Sequence, residues 1–472
     1  MHSLPLRIAA WAILMLGAAP AGMTQQRSQV LNYAPGKSIT LSLPEAFDID
    51  IAARGIRRVR FFAQSPDGSI FVTSLHDLSD NALGSVLLLE GWDEHKRSFG
   101  RITPYLTHLR NPNSIAFWTD PKTGQTWLYV AVTDKLVRYA YHAGELKPAA
   151  PPQTLIHFPD YGLNYKYGGW HLTRTIAVAQ AGGVPRIFVS IGSSCNYCQE
   201  REVARASIIS MDPDGGNARI IARGMRNAVD LRYVPEVEGG SLFATNMGDD
   251  HLGDQRPDDT FFKVDPAPQQ PLNYGWPTCY FSEGKAVHDS TPLPSMDDPA
   301  LKAHTDRPPA QPNDTVYGKQ QGVAAAGTNL AAGGGHAALP DPNAALGQPP
   351  QPLTGCEAVP APYAWFMAHS SPLGFAHFSE SDPNLKGSFL VALHGASHPH
   401  IGTGYRVVRF TADDRKPHDF ITGFLTFAGG KGVVHGRPCG IIRIGPDSFL
   451  LSDDYLGLIY YVYPRGPEAA AK

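Results

Sequence analysis

The chain has 472 residues, of which 43% are apolar, enough for one large core or about two to three ordinary domains. A formal net charge of −3 excludes the broad basic footprint of a nucleic-acid-binding protein. Glycine (47) and proline (41) are plentiful, which favours short strands joined by turns over long helices.

The N-terminus reads as a secretory signal peptide covering residues 1–21. Arg7 gives a positive start, residues 8–19 are apolar but too short to span a bilayer comfortably, and Ala19-Pro20-Ala21 supplies small residues for cleavage. No later stretch reads as a transmembrane helix. The expected location is periplasmic or secreted, where disulfides persist.

From residue 58 onward a pattern repeats: a polar lead-in, an apolar strand, a turn and a second apolar strand. The copies are RVRFFAQSPDGSIFVTSL (58–75), NPNSIAFWTDPKTGQTWLYVAV (111–132), HLTRTIAVAQAGGVPRIFVSIGS (171–193), RNAVDLRYVPEVEGGSLFATNM (226–247), SPLGFAHFSESDPNLKGSFLVALHG (371–395) and RPCGIIRIGPDSFLLSDD (437–454). The turns recur about every 55–65 residues, except across one gap of about 150. Third strands follow most copies, as in 135–142, 206–213, 260–266, 404–411 and 458–464. The pattern predicts an all-β, six-bladed β-propeller over residues 40–465, in preference to a β-sandwich or a pair of barrels. Residues 281–360, rich in Pro, Ala, Gly and Asn, read as a long irregular insertion between blades four and five; a lid or docking element is the alternative.

Five cysteines are present. Cys195 and Cys198 lack the further ligands of a zinc site and read as a short disulfide or two structural thiols. Cys279 and Cys356 bracket the insertion, so pairing them would tie its ends together. Cys439 is left unpaired and buried.

First strands of propeller blades line the axis, so the lead-ins converge at one mouth. They bring Arg60, Asn111, Asn113, His171, Arg174, Arg226, Asn227, His369, His435 and Arg437 together, and strand-end loops add residues 249–259 and His394. So many cations in one place call for an anion. Each also has a bland reading: His171 as a core histidine, Arg226 and Arg437 as inter-blade salt bridges, the Asp249-Asp250 and Asp258-Asp259 pairs as turn residues.

In WHLTRTIAV, IGSSCNYC, GMRNAVDL, the acidic loop ending in NYGWP, LVALHG and HGRPCGIIRIGPDSFLLSDD the chain resembles the soluble quinoprotein sugar dehydrogenases, aldose and sorbosone dehydrogenase-like members included. That resemblance implies a calcium ion and pyrroloquinoline quinone (PQQ) at the mouth. It makes His171 the catalytic base, Arg226 catalytic and cofactor-contacting, and Asn227, His394, His435 and Arg437 cofactor-binding. The backbone of Gly248 and Asp249 would hold the calcium. The implied reaction oxidises a small-molecule sugar or aldehyde, with hydride passing to the quinone and electrons leaving to a separate acceptor. Departures from the family pattern are Trp170 before the histidine, Thr260 where a glutamate is expected, and His394 where a lysine is expected. The competing functions are a calcium-dependent propeller lactonase and a non-catalytic binding propeller.

Overall fold

The computed structural model describes residues 25–159, 171–200, 202–294, 346 and 353–466. The signal-peptide reading, Trp170 and most of the insertion lie outside these residues.

Six antiparallel sheets carry the repeat. Blade one is Val59–Gln64, Ile70–Ser74, Gly84–Asp93 and Ser98–Leu109. Blade two is Ser114–Thr119, Thr126–Val132, Lys135–Tyr141 and Gln153–His157. Blade three is Arg174–Ala181, Val184–Ile191, Ser207–Met211 and Arg219–Arg223, with Leu272–Asn273 added in parallel at its edge. Blade four is Ala228–Val234, Ser241–Asn246, Asp259–Val264 and Ala364–Phe366. Blade five is Pro372–His377, Ser388–Leu393, Arg406–Thr411 and His418–Ile421. Blade six is Pro438–Gly445, Ser448–Asp453 and Leu458–Pro464, closed by Phe47–Arg54 from the other end of the chain. The six-bladed propeller is therefore the fold, and every repeat copy holds the first two strands of one blade.

Strand composition follows from the packing. Blades stack face to face, so a second strand such as Ile70–Ser74 is buried along its whole length rather than on alternate residues. Between blades four and five the filling is aromatic: Phe243, Phe261, Tyr363, Phe375, Phe389 and Phe410 form one cluster. Phe261 stands edge-on to Phe375 with ring centroids 4.9 Å apart. At the axis the first strands approach closely. A Cβ on Gly374 would lie 2.6 Å from the Cys439 carbonyl oxygen, and one on Gly440 would lie 2.3 Å from that of Arg60.

Two features differ from the sequence reading. The insertion lies within blade four, before its last strand, not between blades four and five. Ala364–Phe366 is too short to show alternation, so its membership is set only by pairing with Asp259–Phe261. Closure of the ring by Phe47–Arg54 was also not foreseen, because that strand belongs to no repeat copy. The cysteines behave as read: Cys195 bonds Cys198, Cys279 bonds Cys356, and Cys439 is free and buried. No described helix is long and apolar enough to cross a membrane.

Candidate active site

Strand register decides which residues meet. In each blade the start of the first strand lies beside the end of the second: Val59 opposes Ser74, Ser114 opposes Ala131, Arg174 opposes Ile191, Ala228 opposes Asn246, Pro372 opposes Leu393 and Pro438 opposes Asp453. Lead-ins and strand-end loops thus share one rim. Three lead-ins also share a strained backbone. Asn111, His171 and His369 each sit three residues before a first strand with positive φ (44°, 53° and 60°). For a non-glycine residue that conformation costs on the order of 1–3 kcal/mol and gathers at functional sites.

On one side of the rim stand His171 and Arg226. His171 Nδ1 lies 2.9 Å from the Ser193 carbonyl oxygen and 3.0 Å from its hydroxyl. Burial, and then the Arg226 charge, push the imidazole well below its ordinary pKa, so it is neutral. Gly192 lets the ring in: a Cβ there would lie 2.5 Å from His171 Cβ and 2.7 Å from Asn227 Oδ1. That Asn227 oxygen is buried with no hydrogen-bond donor among the described residues. Its amide nitrogen faces the Met247 sulfur at 3.4 Å.

Arg226 is buried and fully engaged. Nε donates to the Asn196 carbonyl (2.9 Å), Nη1 to the Gly248 carbonyl (2.7 Å), and Nη2 to Asn196 Oδ1 (2.7 Å) and Asp250 (3.4 Å). Asp250 pairs in turn with His369 at 3.2 Å, and mainly for that reason the His369 pKa rises to about 9. Asp259 accepts from the Gly248 and Ser371 backbone N–H groups (2.8 and 2.7 Å), and Asp258 from that of Gly284 (2.8 Å). Asp249 turns its buried carboxylate towards His251, whose Nδ1 is 2.9 Å away and whose other nitrogen meets Asp289 at 2.8 Å.

Across the rim, His394 Nε2 meets Asp454 at 2.8 Å, and Asp454 also binds Arg60 (3.3 Å) and Arg58 (3.8 Å). Arg437 donates through Nη2 to the Gly395 carbonyl (3.2 Å), the Ala396 carbonyl (2.5 Å) and the Tyr405 hydroxyl (2.9 Å), with its guanidinium 5.1 Å from the Tyr405 ring centroid. Its Nε and Nη1 donate to none of the described residues, and it has no carboxylate partner among them. His435 turns towards Thr426, 2.8 Å from its hydroxyl.

The rim thus gathers the cations the sequence brings together but neutralises most of them internally. Asp250 serves Arg226 and His369, and Asp454 serves Arg58, Arg60 and His394, whereas Arg437 has no carboxylate partner among the described residues. Sequence reasoning missed Asp454, although it ends the sixth copy, and missed Asn196 and Ser193, which lie in the quoted IGSSCNYC. The one cluster of three cysteine, histidine or acidic side chains close enough for a metal among the described residues is Cys195, Cys198 and Glu200, and its cysteines are joined.

The His369–Asp250 pair makes a pH prediction. A histidine whose folded pKa is raised contributes stability in full below its unfolded value of about 6.5 and loses it as pH rises through the folded value. Thermal unfolding of His369→Gln should therefore lack a decline in stability that the unaltered protein shows from about pH 6.5 to beyond about 9. Parallel profiles for the two proteins would refute the pairing.

By sequence no known protein family matches the chain, and no curated protein does. By structure it is similar to the PQQ domain of pyranose dehydrogenase from Coprinopsis cinerea in its holo form. That match has a TM-score of 0.58 and 15% identity, and covers 90% of this chain and 97% of the other. It is also similar to a family AA12 carbohydrate-active enzyme from Trichoderma reesei. The iodide structure of that protein gives a TM-score of 0.56 at 16% identity over 90% of this chain and 97% of the other. Its calcium structure gives 0.56 at 15% identity over 90% and 96%. At such identities the likeness shows the propeller fold.

Proposed function

We propose that this protein is an exported PQQ-dependent oxidoreductase that oxidises an aldose or sugar aldehyde. The observation that carries the reading is Arg437: a half-buried cation at the axial mouth, held over Tyr405, with no carboxylate partner among the described residues. A polycarboxylate supplies the missing charge through charge-assisted hydrogen bonds to Nε and Nη1. The fold likeness to a PQQ domain over most of the chain supports the same class. So does Asn227 Oδ1, a buried acceptor beside His171 with no donor among the described residues. Two disulfides suit export to an oxidising compartment.

PQQ would fit these residues, with Arg437 to hold its carboxylates and Arg226 and Asn227 to complete the site. When bound it supplies a two-electron carbonyl acceptor for the hydride released from the sugar. His171, neutral and half-buried, takes the proton of the reacting hydroxyl. Arg226, rigidly held, presents fixed positive charge where negative charge develops. His394 serves less as a cofactor cation than as a partner of Asp454, and His435 is directed to Thr426. Calcium on the Gly248 and Asp249 carbonyls fits poorly in this arrangement, because the Gly248 oxygen already accepts from a guanidinium and a dication there would face Arg226. No step is assigned to it.

The test is a titration of apo-protein with PQQ, with and without calcium, following the visible spectrum and dye reduction on a panel of sugars. Saturable binding that weakens in Arg437→Ala, with sugar-dependent dye reduction, is expected. Absence of PQQ binding under both conditions overturns the reading.

A further inference from the structure

The C-x-x-C motif has no place in the redox chemistry proposed above, yet its loop touches both sides of the site. Ser193 supplies two of the atoms around His171 Nδ1. The Ser193 hydroxyl donates to the Cys195 carbonyl at 2.6 Å. Ser194 anchors the next step, giving both its N–H and its hydroxyl to the buried Glu200. The Cys195–Cys198 disulfide closes the turn, with both cysteines buried against Ala206 and Trp276. At its tip, the Asn196 backbone carbonyl accepts from Arg226 Nε and Trp276 Nε1, and Asn196 Oδ1 accepts from Arg226 Nη2 and the Asp250 N–H. Eight residues thus bind both groups that the proposed reaction needs.

The hydrogen-bond directions are informative. A backbone carbonyl can only accept, so the 2.9 Å contact from Ser193 O requires a proton on His171 Nδ1. The Ser193 hydroxyl, its own hydrogen committed to Cys195 O, is likewise an acceptor towards that nitrogen. Both neighbours demand the same tautomer.

We propose that the disulfide-closed loop 193–200 is the positioning element of the site: Ser193 fixes His171 as the Nδ1–H tautomer, leaving the lone pair on Nε2, while Asn196 fixes the Arg226 guanidinium. Ser193 and Asn196 are positioning residues; neither needs to touch substrate. The value of this to catalysis rests on the function proposed above, but the tautomer itself does not.

The experiment separates the two. In apo-protein labelled with 15N-histidine, two-bond proton–nitrogen correlations report each neutral imidazole's tautomer, and the His171→Gln spectrum identifies the signal. The Nδ1–H pattern is expected for His171, and an Nε2–H pattern overturns the proposal whatever the activity. In Ser193→Ala, which keeps the carbonyl, the tautomers should begin to mix and kcat should fall about two- to tenfold, as loss of one neutral hydrogen bond allows, with KM little changed. In Cys195→Ser/Cys198→Ser, mixing should be greater and the fall in kcat larger. An unmixed Nδ1–H signal in both variants overturns the role of the loop. If the double variant does not fold, Ser193→Ala alone decides. A pure Nδ1–H signal in a protein that oxidises no sugar leaves the loop's role intact and removes only the function.

Discussion

Sugar oxidation by His171→Gln is expected to fall by about 10²–10⁴-fold, the usual contribution of a positioned general base. Glutamine can still donate an amide hydrogen towards Ser193, so the rim should keep its shape, but it has no basic nitrogen with which to take a proton. The unaltered ring is suited to that task for two physical reasons. Burial and the neighbouring Arg226 charge keep it neutral, and Ser193 directs which nitrogen carries hydrogen. The measurement is dye reduction by PQQ-loaded enzyme, read beside PQQ affinity and thermal unfolding. PQQ affinity should change little, since Arg437 carries the cofactor charge in this scheme. A plain core histidine would give another result: a lower unfolding temperature with kcat intact. That outcome, or undiminished turnover in a well-folded variant, would remove His171 from the chemistry.

The blades were legible because each one states its own rule. An apolar run, a turn built on residues such as Pro66, Pro235 or Pro446, and a second run recur at a spacing that only stacking repeats explain. Where pairing is non-local the sequence was silent. Phe47–Arg54 closes blade six across the whole length of the chain, and Ala364–Phe366 completes blade four only after the insertion. Neither has a local signal distinguishing it from any other short strand. The site was legible as a set of residues but not as a set of charges. Repeat position told that Arg226, His369 and His394 share a rim. It could not tell that Asp250 stands between the first two, or that Asp454 takes the third, because side-chain partners depend on loop geometry that the repeat does not encode. Hence a crowd of cations that seemed to demand one external anion turns out to be largely neutralised, while Arg437 has no carboxylate partner among the described residues.

Asp454→Ala should destabilise the protein by about 3–5 kcal/mol, the cost of removing one partner from a buried ion pair. The Asp454 side chain is fully buried, as nearly is Arg60, so removal of the carboxylate strands a guanidinium where water cannot solvate it. The effect reaches beyond one pair. Arg60 Nε donates to Asn113 Oδ1 at 3.1 Å, Asn113 Nδ2 to Thr175 Oγ1 at 3.0 Å, and Thr175 to the Val229 carbonyl. With His394 from blade five and Asp454 from blade six, this belt joins all six blades around the axis. Asp454→Asn keeps the shape but not the charge and should cost less than alanine while still leaving Arg60 uncompensated. The pH dependence supplies an independent check. His394 and the two arginines outweigh burial and hold the Asp454 carboxyl well below the usual range, whereas adjacent Asp453, whose partners are neutral, is pushed up to about 7 by burial. A depressed carboxyl contributes stability that is present above its unfolded pKa of about 4 and is lost as pH falls through the folded value. Urea unfolding of the unaltered protein should therefore show an acid-side loss of stability that is reduced in Asp454→Ala. A destabilisation below about 1 kcal/mol, with an unchanged acid limb, would mean that the belt is solvated and that apolar packing between blades alone holds the ring.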